Sequence, residues 1–383
     1  MSRYYTILSI DGGGIRGIIP AIILTEIERR TGCRIAQMFD LIAGTSTGGI
    51  LALGLSVPHA EEDRPKFEAK ELVSFYEEDG VNVFHSFWKN VSSIYGLINE
   101  RYPSNSIEAV LKKYLGTETR LSQALNEILI TSYELETCRP YFFTRRRARD
   151  QRSGPFDPPM WEVARATSAA PTYFEPFQVE RPESLKMPPL TLIDAGVFVN
   201  NPTLCAYAEA VDIHSQQTRG DGHKGSSGAT RQSDRPVEVL SMKRKALSKK
   251  REVLNDFEYL VVSLGTGELD MRIHYEAAKN WGTIHWARPM IDIAYDGSSD
   301  TVDELMRQLL PVVKKPYLYY RFQASLSDEN SRLDDTSQRN INDLKLRAEA
   351  ILEDAEKSAK IDNLCSLLKE RADAKAGEES GGR

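Results

Sequence analysis

Short apolar runs alternate with helical apolar patterns along the first part of the chain. Thr6 to Ile10 predicts a short apolar strand, which is followed by a helix with an apolar face that stops at Gly32. A second strand over Phe39 to Ala43 leads into an apolar helix over Ile50 to Val57. This alternation predicts an α/β fold with a mostly parallel central sheet that is covered by helices on both faces.

Similar patterns continue to the end of the chain. Further strands are predicted over Ile128 to Tyr133, Arg139 to Thr144, Leu190 to Ile193, Phe257 to Leu264 and Tyr317 to Gln323. Further helical segments are predicted over Ile107 to Leu115 with Ser106 as its cap, Trp161 to Ala170, Val302 to Leu310 and Ser337 to Glu370. The charged, turn-rich segment from Arg145 to Pro159 predicts a surface loop.

These elements predict one main domain with an insert and a tail. Residues 5–207 form its core, and residues 257–371 add a strand and helices to the same domain. Residues 214–256 lose apolar periodicity and predict a flexible insert. The insert is basic, since positions 219 to 251 contain ten Lys or Arg and only three Asp or Glu. Residues 372–383 predict a disordered tail.

Composition narrows the classes of function. The net charge of -6 argues against a general affinity for nucleic acid, and 41% hydrophobic content allows a large core. No apolar run approaches the roughly eighteen residues of a membrane span. The four cysteines have neither metal-ligand nor redox spacing, so we expect a reducing, cytoplasmic location.

Two strand-to-helix turns contain the candidate chemistry. The first strand runs into Asp11-Gly12-Gly13-Gly14-Ile15-Arg16-Gly17, and the second runs into Gly44-Thr45-Ser46-Thr47-Gly48-Gly49. Glycines let the backbone approach a ligand closely and offer unpaired amides to developing negative charge, which predicts an oxyanion hole at the first turn. A serine flanked by glycines between a strand and a helix predicts a nucleophile elbow. Together the two turns predict acyl-transfer chemistry.

A dinucleotide site is the main competing interpretation of the first turn. Gly12, Gly14 and Gly17 satisfy the spacing of the dinucleotide-binding fingerprint. That site needs an acid at the end of the second strand, whereas Asp40 lies at the beginning of that strand and Ser46 follows its end. We therefore favour an oxyanion hole and expect no cofactor.

The base that would activate Ser46 has two kinds of candidate. In a Ser-His-Asp enzyme it would be a late histidine, His274 or His285, although neither lies in a recognisable turn motif. Asp194 is better placed, because it ends an apolar strand and is followed by a turn at Gly196. The alternative role of Asp194 is an Asx-type turn that caps the next helix.

Four blocks, in this order, resemble the patatin-like phospholipases. They are the Gly12 loop, the Ser46 elbow, Ala164 to Phe174, and Asp194-Ala195-Gly196 with Asn200-Asn201-Pro202. Later segments resemble the C-terminal part of patatins, namely Leu264-Gly265-Thr266-Gly267, Tyr320-Arg321 and Leu333-Asp334-Asp335. The resemblance implies a three-layer α/β/α fold, a Ser46–Asp194 dyad without a catalytic histidine or metal, and lipid acyl hydrolysis.

The resemblance also assigns roles around the dyad. The amides of Gly13 and Gly14, with that of Thr47, would hold the oxyanion, and Gly12 and Arg16 belong to the same hole. Arg16 would either brace the glycine loop or contact a phosphate head group. The family usually has glycine directly after its aspartate, and here Ala195 takes that place. If that position needs a glycine-only backbone angle, Ala195 would misplace the base.

The implied substrate is a phospholipid or galactolipid in a membrane or micelle, with which the protein makes peripheral contact. The basic insert would then either dock on anionic lipid or form a lid, unless it is simply a solvated loop. Two other functions stay open: a Ser-His acyltransferase or α/β-hydrolase, and a catalytically inactive lipid-binding module. The sequence leaves the oligomeric state undetermined.

Overall fold

The computed structural model describes residues 4–80, 104–150, 156–171, 173–220, 258–269, 273–310, 318–330 and 332–381. Its strands, labelled β1 to β10 in chain order, are Tyr4–Ile10, Leu41–Gly44, Glu127–Glu134, Arg139–Thr144, Phe177–Val179, Leu190–Asp194, Glu258–Leu264, Glu268–Leu269, Tyr319–Phe322 and Ser325–Leu326. Its helices, labelled α1 to α12, are Ile18–Thr31, Ile35–Met38, Thr47–Ser56, Ala69–Ser74, Ser104–Leu115, Arg145–Arg149, Met160–Thr167, Thr203–Gly220, Tyr275–Ala278, Thr283–Leu309, Gln338–Glu353 and Ala355–Gly381.

An eight-stranded sheet forms the centre of the described part, in the order β5-β6-β3-β2-β1-β7-β9, with β4 also paired to β3. The strands from β3 through β2, β1 and β7 to β9 are parallel to their neighbours. The pairs β3–β4, β3–β6 and β5–β6 are antiparallel. The predicted α/β fold with a mostly parallel sheet is confirmed.

Side chains from β1 point alternately into two separate cores. Leu8 and Ile10 pack in the core that includes α1, α3, α11 and α12. Ile7 packs in the core that includes α8 and α10. Because both faces of the strand are covered, β1 needs apolar residues at successive positions rather than at alternate ones. The arrangement has the three layers that the sequence predicts.

Two predicted helices differ from those observed. Helix α5 begins at Ser104, so Ser106 is not its cap. The run Ser104-Asn105-Ser106 offers three residues of cap-forming type, and their composition alone cannot select one. Helix α10 begins at Thr283, much earlier than the predicted Val302, and it contains Pro289. Its apolar periodicity is clear only toward its C-terminal end, where Val302 and Met306 are buried.

The predicted surface loop after β4 begins instead with the short helix α6. The Thr144 hydroxyl caps it by accepting a hydrogen bond from the Arg147 amide at 3.3 Å. Arg145 pairs with Glu127 at 2.9 Å, and Arg146 pairs with an acid of α8 at 2.9 Å. These acids come from other elements, so a local charge pattern could not predict the helix.

The tail predicted to be disordered from residue 372 is helical, because α12 continues to Gly381. Ala372 is buried, and the Lys375 ammonium lies 2.9 Å from an Asp40 carboxylate oxygen. Arg371 pairs with the same carboxylate at 2.8 Å. Asp40 therefore anchors this helix to the start of β2, which is a structural role rather than a cofactor contact.

The start of the predicted insert also differs from expectation. Helix α8 runs to Gly220, and His214 within it is buried with its ring 2.9 Å from the Tyr259 hydroxyl. The rest of the insert lies at 221–256, outside the described residues, and its flexibility stays a prediction.

Candidate active site

Ser46 lies on a strained turn between β2 and α3. Its backbone has φ 54° and ψ -124°, a conformation that is costly for a residue with a Cβ. A Cβ at Gly44 would lie 2.2 Å from the carbonyl oxygen of Gly48, and one at Gly48 would lie 2.2 Å from that of Ile10. The flanking glycines therefore let the elbow fold tightly beside β1. The Ser46 amide donates to the Thr167 hydroxyl at 2.9 Å, which further fixes the turn.

The sheet topology brings Asp194 next to this elbow. Strand β4 occupies one edge of β3, so β2 and β6 follow one another along its other edge. Gly44 at the end of β2 pairs with Ile130, and Asp194 at the end of β6 pairs with Ser132. Two residues along a strand span about 7 Å. Ser46 and Asp194 accordingly line the same cavity.

The two carboxylate oxygens of Asp194 have different surroundings. Oδ1 accepts a hydrogen bond from the Gly196 amide at 2.8 Å, which is the Asx-type turn considered above. Oδ2 is buried and has no hydrogen-bond partner of ordinary length in the described part of the chain. One oxygen therefore orients the side chain, and the other remains able to accept a proton.

Burial raises the pKa of Asp194 to about 7, and hydrogen bonds from the Ser46 hydroxyl and the Gly196 amide offset this only in part. The Ser46 hydroxyl lowers the pKa of Asp194, although Oδ2 has no hydrogen-bond partner of ordinary length among the described residues. Both observations fit a hydroxyl that interacts with the carboxyl group over a distance longer than that of an ordinary hydrogen bond. Such long contacts are common in catalytic pairs before substrate binds. A pKa near neutrality is the range in which a carboxylate can serve as a base.

Ala195 does not distort the turn that holds Asp194. Among the non-glycine residues that the structure describes, positive φ occurs at Ser46, Cys138 and Lys186 and not at Ala195. The position therefore does not need a glycine-only angle. Gly196 is required for a different reason, because a Cβ there would lie 2.4 Å from the ring of Tyr295.

The glycine loop supplies fewer free amides than the sequence predicts. The Gly12 amide donates to the Asn200 carbonyl at 3.1 Å, so its assignment as an oxyanion donor is corrected. The Gly13 and Gly14 amides make no hydrogen bond within the described residues. The Thr47 amide lies at the first position of α3, where a helix has no internal acceptor for it. Gly13, Gly14 and Thr47 remain as candidate donors.

Arg16 braces this loop from inside the protein. Its side chain is buried, and both its backbone amide and its Nε donate to the Gly13 carbonyl, at 3.1 and 3.5 Å. Of the two roles that the sequence left open, the geometry matches the brace. Gly17 leaves the space that Thr47 and Tyr76 occupy, since a Cβ there would lie 2.4 Å from both hydroxyl oxygens.

An apolar cavity opens beside Ser46 and Asp194. Its empty volume is about 660 Å³, including its open mouth. The apolar side chains around it include Ile15, Ile50, Phe75, Tyr76, Ile107, Phe174 and Leu333. Such a lining suits a hydrocarbon chain and not a charged ligand.

Several residues at the site were not assigned a role from the sequence. Arg321 forms a buried ion pair with Asp11 at 2.6 Å, and the Leu333 carbonyl accepts a hydrogen bond from the Ile15 amide at 2.9 Å. Thr266 donates to the Gly12 carbonyl at 2.5 Å. These residues belong to the later segments noted for their resemblance to patatins. The motifs were visible, but their contacts with the glycine loop depend on the fold.

The histidine candidates lie away from this cavity. His274 and His285 are exposed, and none of the described histidines lines the cavity. His214 is buried against Tyr259, whose strand β7 begins at the opposite end of the sheet from the Ser46 elbow. Of the candidate bases named from the sequence, Asp194 shares the cavity with Ser46.

Comparisons with known proteins show which family the chain belongs to. A family model described as patatin-like phospholipase matches residues 8–207. Patatin-like protein 4 of Arabidopsis thaliana is 30% identical over 371 residues, covering 91% of this chain and 83% of the relative. Patatin-17 of Solanum cardiophyllum is 32% identical over 354 residues, covering 89% and 82%. The crystal structure of VipD from Legionella pneumophila aligns at 11% identity over 91% of this chain and 75% of that one, with a TM-score of 0.27 that is too low to support an argument. The chain therefore belongs to the patatin-like phospholipase family.

Proposed function

We propose that the protein hydrolyses fatty-acyl esters of phospholipids or galactolipids through a Ser46–Asp194 dyad and an acyl-enzyme. Family membership supports a lipid acyl hydrolase in general. The observation that carries the finer proposal is Oδ2 of Asp194, which is buried beside a strained serine at an apolar cavity and has no hydrogen-bond partner of ordinary length among the described residues. Each of these features is costly to a fold that does not use it.

In the first half-reaction, Oδ2 of Asp194 accepts the Ser46 proton as Oγ attacks the acyl carbonyl carbon. The carbonyl oxygen becomes an oxyanion that faces the amides of Gly13, Gly14 and Thr47. When the bond to the alcohol breaks, Asp194 returns the proton to the leaving oxygen. The acyl group remains on Ser46, with its hydrocarbon chain in the apolar cavity.

In the second half-reaction, water attacks the acyl-enzyme. Asp194 accepts a proton from this water and then delivers it to the departing Ser46 Oγ, which releases the fatty acid and restores the serine. An ordinary aspartate with a pKa near 3.9 would be a weak base for both steps. The raised pKa of Asp194 supports its proposed role.

We propose peripheral contact with the lipid surface. None of the helices in the described ranges is long and apolar enough to span a bilayer. The cavity beside Ser46 would then receive one acyl chain from the surface. Docking by the basic insert at 214–256 stays a prediction, and a deletion variant tested on anionic and neutral vesicles would examine it.

The test is hydrolysis of a chromogenic fatty-acyl ester and of a panel of phospholipids and galactolipids. We expect Ser46→Ala and Asp194→Asn to lose activity by at least about 10³-fold and His285→Ala to retain it. Loss in the histidine variant with retention in Asp194→Asn would instead favour a Ser-His enzyme. A fluorophosphonate probe should label Ser46 in the wild type, and failure to label it would favour an inactive lipid-binding module.

A further inference from the structure

The Gly12–Gly13 peptide group determines where the Gly13 amide points. In a trans peptide the carbonyl of one residue and the amide of the next point in opposite directions. A contact that fixes the Gly12 carbonyl therefore also fixes the Gly13 N–H. The same holds for the Gly13 carbonyl and the Gly14 N–H.

Thr266 provides the contact to the first of these peptides. Its hydroxyl donates to the Gly12 carbonyl at 2.5 Å, and the residue is only 3% exposed. The side chain lies directly over the loop, since a Cβ at Gly13 would be 2.2 Å from the Thr266 hydroxyl oxygen. Within the described residues no other donor reaches the Gly12 carbonyl.

The second peptide is held differently. The Gly13 carbonyl accepts from the amide and Nε of Arg16, three residues along the same turn. The direction of the Gly14 amide is therefore fixed within the loop, whereas that of the Gly13 amide depends on a residue 254 positions later. Thr266 also lies outside residues 8–207, which the family model matches.

The turn that carries Thr266 is itself rigidly held. Leu264 ends β7 beside Ile10 of β1, and the Leu264 carbonyl accepts from the Asp11 amide at 3.0 Å. The residues on either side of Thr266 are also held. The Gly265 amide donates a hydrogen bond to β9 at 2.9 Å, and the Gly267 amide donates one to the Gln323 side chain at 2.8 Å. Because β1 and β7 are parallel, the Thr266 hydroxyl and the glycine loop lie together at the carboxyl ends of these two strands.

We propose that Thr266 is a positioning residue for the oxyanion hole, whose hydroxyl keeps the Gly13 amide directed at the oxygen of the reacting carbonyl. The inference rests on the proposed function of Ser46 and Asp194. It adds a supporting residue from the second half of the chain to a hole whose recognisable motif lies in the first. Thr266 acts before and during the reaction without touching the substrate.

The test compares Thr266→Val, which keeps the shape of the side chain and removes the donor, with Thr266→Ser, which keeps the donor. On a chromogenic acyl ester we expect Thr266→Val to lower kcat by about tenfold to a hundredfold with KM changed less than about twofold, because loss of one oxyanion donor costs roughly a hundredfold or more. Thr266→Ser should stay within about threefold of wild type. A fatty-acyl trifluoromethyl ketone, which forms a charged adduct with Ser46, should bind Thr266→Val more weakly by the same factor as kcat falls.

A merely structural role would give a different pattern. It would lower the melting temperature and change KM and kcat together, and the serine variant would not restore kcat specifically. Equal kcat in Thr266→Val and wild type, or ketone affinity that does not follow kcat, would overturn the proposal. If Thr266→Val does not fold, Thr266→Cys with its weaker donor should give a kcat between those of Thr266→Ser and Thr266→Ala, and another order would overturn it.

The failure of the proposed function looks different again. A wild-type protein as inactive as Ser46→Ala would refute both proposals together. An active wild type whose activity does not depend on the Thr266 hydroxyl would refute only this one.

Discussion

Replacing Asp194 by Asn should abolish hydrolysis and at the same time make the folded protein more stable at neutral and alkaline pH. The carboxyl group is fully buried, and its pKa is raised to about 7 in the folded protein against 3.8 for an exposed aspartate. At a pH between these two pKa values, Asp194 keeps its proton in the folded protein and has lost it in the unfolded chain. The free energy of unfolding therefore falls as pH rises from about 4 to about 7, and it loses nothing further from this group above that range.

The size of the effect follows from the two pKa values. Each unit of difference corresponds to about 1.4 kcal/mol, so ionised Asp194 costs the folded protein roughly 4 kcal/mol at pH 8. About 3 kcal/mol of this cost appears between pH 5 and pH 8. Asparagine stays neutral throughout, and its carbonyl oxygen can still accept the Gly196 amide hydrogen bond that Oδ1 accepts now. The substitution should therefore remove the pH-dependent cost without removing the turn.

Urea unfolding, followed by tryptophan fluorescence at pH 5, 6, 7 and 8, measures this directly. The difference in free energy of unfolding between Asp194→Asn and wild type should grow in favour of the variant by about 3 kcal/mol from pH 5 to pH 8. Other titrating groups, such as the buried Asp11, are common to both proteins and cancel in the difference. Ser46→Ala is the matched control, because it removes the nucleophile and keeps the buried carboxyl. A difference that does not change with pH would refute the raised pKa and the argument for the base.

Three further predictions follow from the same contacts. Because only ionised Asp194 can accept the serine proton, kcat/KM on a soluble ester should fall about tenfold for each pH unit below about 7, and a profile flat to pH 5 would contradict this. Ala195→Gly should keep kcat within about twofold and lower the free energy of unfolding by roughly 0.5–1 kcal/mol, because Ala195 does not have the positive φ that favours glycine. A large gain in kcat would show that Ala195 does misplace the base. Asp40→Asn should weaken the contacts of Arg371 and Lys375 that anchor α12. We expect the free energy of unfolding in urea to fall by about 1–3 kcal/mol and proteolysis within α12 to become faster. Esterase activity should be unchanged, because Asp40 lies at the other end of β2 from Ser46.

The parts of the candidate site whose local structure the sequence predicts are short, continuous ones. The Ser46 elbow and the glycine loop each need a short strand, small residues and a helix in succession, and all of these are visible within about ten residues. Asp194 was also predictable, because it ends a short apolar strand and precedes a turn. Its proximity to Ser46 was not visible locally, since it depends on β2 and β6 sharing one edge of β3.

The errors concern properties that other parts of the chain determine. Gly12 is a glycine like Gly13 and Gly14, yet its amide donates a hydrogen bond to the Asn200 carbonyl. Sequence spacing cannot predict that Asn200 lies beside Gly12. The polar tail from residue 372 looks disordered until Asp40 is found beside Arg371 and Lys375. The contacts of Thr266 and Arg321 with the glycine loop cannot be predicted for the same reason, because each residue reaches the loop from a distant strand or turn.

In the proposed mechanism, the raised pKa of Asp194 and the free amides of Gly13, Gly14 and Thr47 act together in one charge transfer. Burial, Ser46 and Gly196 determine this pKa, and no charged residue of the described part contributes. When Asp194 accepts the serine proton, its negative charge disappears and an equal charge forms on the carbonyl oxygen of the substrate. In this mechanism the charge moves from an oxygen that has no hydrogen-bond partner of ordinary length among the described residues to one that faces the amides of Gly13, Gly14 and Thr47. A cation beside Asp194 would stabilise the carboxylate and reduce this driving force, so the absence of a compensating charge at the base is part of how the site would work.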